Sequence, residues 1–200
     1  MFLKTIAPDE ATGRVAETYA AEIARFGFVM SATACWTARP DFLPIWEEFF
    51  AKVKGNFSLS DRDWRLITFV AAQQVPSTYC STVYGKQLLN DLGSKDKVLA
   101  LQGDWRSAGL DDRDIAMLTY AKAVARDASQ IAEHDIAALR SAGFTDIQIA
   151  DIALCASLRC FMARYFDATG AGPEPAFIDA DRDFSDALAV GRKPSSARGL

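Results

Sequence analysis

Residues 60–76 constrain the fold more than any other part of this sequence. Ser60-Asp61-Arg62-Asp63 has the form of a capping box, with Asp63 in place of the usual Glu or Gln. It opens Trp64–Gln74, a run that is apolar on most sides. Such a run reads as a helix buried on most of its faces, not as an amphipathic surface helix. Pro76 interrupts it, because proline removes a helical donor and clashes with the preceding turn. A helix of this kind needs other helices to cover it.

The rest of the chain supplies them. The spacing of apolar residues and of start and stop signals predicts helices over 9–26, ending at Gly27, and over 40–53, with Pro40 in the first turn. Further helices are expected over 77–92, closed by Gly93, over 112–125, and over 130–142, stopped by Gly143. Thr145-Asp146-Ile147-Gln148 is a second capping box and opens a long helix to Gly170. Beyond Gly170 the residues Gly172, Pro173 and Pro175 break regular structure, and polar residues dominate. No β-alternation of useful length is present. The expectation is an all-α fold: one helical domain over 1–175 and an extended C-terminal tail over 176–200. The tail would drape on the surface or a neighbouring subunit, with a short helix around 183–190.

Composition narrows the function. Among 200 residues half are apolar, and the formal charge of −4 gives no electrostatic reason for a nucleic-acid partner. The small basic group Arg192, Lys193 and Arg198 reads as a solvated terminus. No signal peptide and no membrane-spanning stretch is visible, so the expected compartment is the cytosol, with Cys35, Cys80, Cys155 and Cys160 reduced. Cys155 and Cys160 are expected as buried thiols. No metal site is expected from four scattered cysteines and the single His134, which belongs on a solvated helix face. Trp36, Trp46, Trp64 and Phe161 are expected in the core, and Arg164 with Asp167 has ion-pair spacing. No phosphate loop or nucleophile elbow appears.

Leu59–Tyr84 carries a resemblance. A Leu-Ser opening, an apolar helix and then Ser77-Thr78-Tyr79-Cys80-Ser81-Thr82-Val83-Tyr84 resemble the core block of the alkylhydroperoxidase D-like/carboxymuconolactone decarboxylase family. Gly27-Phe28-Val29 with Arg39-Pro40, Leu139–Asp146, and Arg164 with Asp167–Gly170 resemble further segments of its peroxidase-related branch, in the same order. The similarity covers roughly residues 15–175. It implies the alkylhydroperoxidase D-like helical bundle and a homo-oligomer (trimer or hexamer); no cofactor is expected.

In active members a C-x-x-C-x-x-x-H motif reduces peroxides, with two cysteines on one helical face and a histidine and a glutamate moving protons. Carried over position by position, the motif is degenerate. Ser77 stands at the first cysteine, Cys80 at the peroxide-attacking one and Tyr84 at the histidine. Arg65 falls at the proton-relay glutamate, and Ala163 stands where the ending motif usually has Asn. A dithiol peroxidase cannot work through these residues, and a phenol with pKa near 10 is a poor base at neutral pH. The candidate site is Arg65, Ser77, Cys80 and Tyr84. Three readings stay open. Cys80 acts as a single-thiol peroxidase, with its pKa lowered by Arg65 and the helix N-terminus. Alternatively the pocket binds or transforms a small acidic organic ligand, with Arg65 on the anion. In the third reading the chain is a non-catalytic oligomeric family member.

Overall fold

The Ser60 hydroxyl accepts from the Asp63 amide while the Asp63 carboxylate accepts from the Ser60 amide, and α4 (Asp61–Gln74) starts from this closed box. Leu66, Ile67, Phe69, Val70 and Ala71 are all buried, as a central helix requires. In this computed structural model, which describes residues 1–193, α4 packs against α5 (Thr78–Leu92), α7 (Asp112–Asp127) and α9 (Asp146–Thr169). α7 also packs against α9. Around these four lie α1 (Gly13–Phe26), α2 (Ser31–Ala34), α3 (Leu43–Gly55), α6 (Lys95–Ala100), α8 (Glu133–Ser141) and α10 (Arg182–Leu188). No strand occurs among the described residues.

Several boundaries differ from the sequence expectation. The first helix starts at Gly13 instead of residue 9, and the second at Leu43 instead of Pro40. Residues 31–38 and 95–100 form short helical turns with too few residues to show a period, the latter capped by Ser94. The long helix behaves as expected. The Thr145–Gln148 box opens α9, and Gly170 ends it at φ 83°, a left-handed conformation natural to glycine. At about 1.5 Å per residue its 24 residues span about 36 Å.

The segment after Gly170 folds back on the bundle. Phe184 and Leu188 of α10 are buried, and Leu188 approaches α5 so closely that a Cβ on Gly85 would meet it at 2.8 Å. Lys86 and Lys95 hold Asp179 at 2.6 and 2.8 Å. The Gly191 amide donates to the Thr78 hydroxyl at 2.9 Å, next to the start of α5. Residues 194–200 of the expected tail, Arg198 among them, lie outside the described residues. No helix among the described residues is long and apolar enough to cross a membrane.

Candidate functional site

α5 can begin only after Pro76 has ended α4, and its first turns carry Ser77, Cys80 and Tyr84 on one face at i, i+3 and i+7. On α9, Cys155, Arg159 and Ala163 form a matching stripe at i, i+4 and i+8. The two stripes meet. The Arg159 guanidinium donates from Nη2 to the Tyr84 hydroxyl, and its charge acts on both Cys80 and Cys155.

Arg159 was not among the residues expected from the sequence, yet it is the most unusual side chain in the seam. It is only 3% exposed. Its guanidinium carbon stands 4.7 Å from the Tyr84 ring centroid, 4.9 Å from Trp64 and 5.5 Å from Phe50. Nη1 meets the Met162 sulfur at 3.4 Å, the Cys155 thiol also lies within reach of the guanidinium, and Nε has no well-aligned hydrogen-bond partner. Among the described residues no carboxylate pairs with it. Cation–π contacts contribute about 0.5–2 kcal/mol each, whereas taking an ion out of water costs several kcal/mol. The charge is therefore sheltered but not neutralised.

Tyr84 accepts from Arg159, and arginine can only donate. The phenol's own proton finds no acceptor among the described residues and is available to something else. Burial raises the phenol's pKa, with Arg159 opposing, so Tyr84 is a neutral donor at physiological pH. Ser77 is the N-cap residue of α5, but its side chain makes no capping bond. Its buried hydroxyl lies beside Cys80 and Asp167 and has no well-aligned partner.

Cys80 is 2% exposed, and burial pushes its thiol up to about 11, with Arg159 and Ser77 opposing. Cys155 is pushed up to about 12 for the same reason. The expected lowering of the Cys80 pKa does not occur, because the cost of burying a thiolate outweighs the attraction of the guanidinium. All four cysteines are free.

Arg65 does not join this group as expected. Its Nε and Nη2 grip the Asp91 carboxylate of α5 at 2.7 and 2.8 Å, so its donors are spent there, although its charge still feels Tyr84. The expected Arg164–Asp167 pair is also absent. Arg164 is exposed, and Asp167 takes Arg192 of the C-terminal segment at 3.3 Å. Trp36, Trp46 and Trp64 are core residues, but Phe161 is 48% exposed. His134 is on the surface beside Asp135, as its neighbours suggest. Among the described residues no cluster of His, Cys, Asp or Glu is set to hold a metal ion.

With four packed helices and this seam in view, the fold is the alkylhydroperoxidase D-like helical bundle. A peroxidase-related protein from Ralstonia eutropha JMP134 with an alkylhydroperoxidase core superposes at TM-score 0.80. It is 20% identical, over 88% of this chain and 93% of that one. A peroxidase-related protein from Silicibacter sp. TM1040 gives 0.75 at 22% identity, over 88% and 96%. A cysteine-to-alanine variant of the debrominase Bmp8, in complex with 2,3,4-tribromopyrrole, also gives 0.75, at 14% identity over 94% and 97%. No protein-family model matches the chain, and no curated protein sequence matches it significantly.

Proposed function

We propose that this chain is a member of the alkylhydroperoxidase D-like family, of its peroxidase-related branch, that has given up dithiol peroxide reduction and takes a small acidic organic ligand in the α5–α9 seam. The observation that carries this reading is the state of Cys80. It is the sole thiol on its face of α5, it stays protonated at neutral pH, and the residue one turn before it is a serine. A protonated, buried sulfur is a poor nucleophile toward peroxide. Ser77, Cys80 and Tyr84 then act as lining and donors, with Arg159 in the anion-binding role that the sequence suggested for Arg65. Residues 1–175 form the domain that carries the seam. The complex of Bmp8 with a brominated pyrrole supports the capacity of this fold for a small organic ligand.

The test is hydroperoxide turnover with dithiothreitol as reductant, wild type against Cys80→Ser. The expected result is one low background rate for both proteins. A wild-type rate that vanishes in Cys80→Ser would restore the single-thiol peroxidase.

Assembly and compartment belong to the same proposal. Ile45, Phe49, Leu154 and Phe161 leave apolar surface exposed on α3 and α9, which supports a homo-oligomer, trimer or hexamer. Light scattering on the purified protein decides it, and a monomer at micromolar concentration would reject it. Four free thiols support a cytosolic setting.

A further inference from the structure

Arg65 and Arg159 present the same guanidinium edge, Nε with Nη2, to different surroundings. On Arg65 that edge is filled by a carboxylate, Asp91, gripped side-on through two short hydrogen bonds. On Arg159 the Nε proton has no well-aligned acceptor, and Nη2 donates to a phenol whose own proton is unspent. Donors without acceptors converge at this point, so the missing partner is rich in acceptors.

Three carboxylates of α4, α5 and α9 are committed elsewhere. Asp91 is held by Arg65, Asp61 by Lys54 and Asp167 by Arg192. Asp167 also lies eight residues along α9, about 12 Å of helix rise from Arg159. A second cation, Lys54, stands 4.8 Å from the centroid of the same Trp64 ring that Arg159 covers. Lys54 is itself paired with Asp61, so Arg159 carries the unneutralised positive charge of the seam, which favours an anion from outside. A bare inorganic ion would leave the surroundings unused. Phe50, Trp64, Tyr84 and Met162 surround the guanidinium with apolar surface suited to the carbon skeleton of an organic acid.

We infer that Arg159 and Tyr84 form a receptor for the carboxylate of a small organic acid: one oxygen accepts from Arg159 Nε, and the Tyr84 hydroxyl donates to the same group. This rests on the ligand-binding reading above and deepens it, by naming the anchoring group of the ligand and the two side chains that hold it. Tyr84 keeps some exposure beside the otherwise buried seam.

The experiment is calorimetric titration of the purified full chain with benzoate, and with benzamide as its uncharged counterpart, at pH 7 in low-chloride buffer. The expected result is saturable benzoate binding with benzamide weaker by about tenfold or more, the scale of one charge-assisted hydrogen bond. Arg159→Met is expected to weaken benzoate about 10- to 100-fold, and Tyr84→Phe several-fold. If Arg159→Met does not fold by circular dichroism, Arg159→Lys serves instead. It keeps the charge, loses the planar fork and is expected to lose most of the preference for benzoate over benzamide. No benzoate binding at about 10 mM, equal binding of benzamide, or benzoate binding untouched by Arg159→Met would each overturn the receptor. Benzamide binding that is independent of Arg159 would sink the receptor while leaving the small-ligand reading intact. Peroxide turnover that depends on Cys80 would instead strike at that reading itself.

Discussion

Two arginines reach inward from neighbouring helices and end in opposite conditions. Arg65, on α4, lies against Asp91 in a bidentate pair and completes the outer seam between α4 and α5. Arg62, one turn earlier, does the same with Asp114 of α7, at 2.8 and 2.7 Å. Arg159, on α9, is more deeply buried than either and is surrounded by rings and a thioether. On the outer seams charge is used for fastening, and the partners are part of the chain. In the inner seam charge is left open. An uncompensated buried cation is costly, and such violations of local satisfaction concentrate at functional sites. The comparison separates a structural arginine from one held ready for something that is not in the chain.

The ring between these conditions is Trp64, which carries Arg159 at 4.9 Å and Lys54 at 4.8 Å from its centroid. Trp64→Ala is expected to cost about 3–5 kcal/mol, the usual range for truncating a buried large aromatic. Urea unfolding measures it, and a loss below about 1 kcal/mol would show that α4 does not depend on this packing. The two arginines should then respond with opposite sign. Asp91→Ala leaves the half-buried Arg65 unpaired and is expected to lower stability by about 1–2 kcal/mol. Arg159→Met removes an unneutralised buried charge and is expected to be neutral or to stabilise the ligand-free protein by about 1 kcal/mol. A clear destabilisation by Arg159→Met in the same assay would mean that its three aromatic contacts are the reason it is there.

Much of this was legible in the sequence, because helix starts and stops are written locally. The Ser60–Asp63 and Thr145–Gln148 boxes, the Pro76 break and the glycines after α5 and α9 mark those helices. The start of α1 was harder, since Thr12 makes no side-chain cap and no signal marks Gly13. The spacing of Ser77, Cys80 and Tyr84 placed three residues of the seam on one face. Arg65 failed because a favourable partner, Asp91, lies 26 residues away, and long-range ion pairs leave no local trace. Arg159 was obscured by its neighbour Arg164 in the same apolar helix. The period distinguishes them: Ile152, Cys155, Ala156, Arg159, Ala163 and Phe166 form the buried stripe, and Arg164 falls off it. A charge on a buried stripe was the available signal.

The smallest expected effect is the dependence of stability on alkaline pH. Cys80 has a folded pKa of about 11 against 9.0 for an unconstrained thiol. Its raised folded value means that the stabilising protonated form is fully present below pH 9 and is lost as pH rises from there through about 11. Thermal midpoints should therefore fall above pH 9, and Cys80→Ser should reduce that fall. A slope unchanged in Cys80→Ser would assign it to other groups whose pKa burial raises, Cys35, Cys155 and Tyr79 among them.

The central claim is that the charge of Arg159 is reserved for a ligand and does not serve to make Cys80 a thiolate. Site-resolved alkylation of Cys80 by iodoacetamide, followed by mass spectrometry across pH, tests it most directly. The predicted profile rises throughout the accessible range toward about 11, with no plateau near neutrality. A plateau with an inflection below the ordinary thiol value of about 8.5, moving upward in Arg159→Met, would contradict the claim and make the seam a thiolate site.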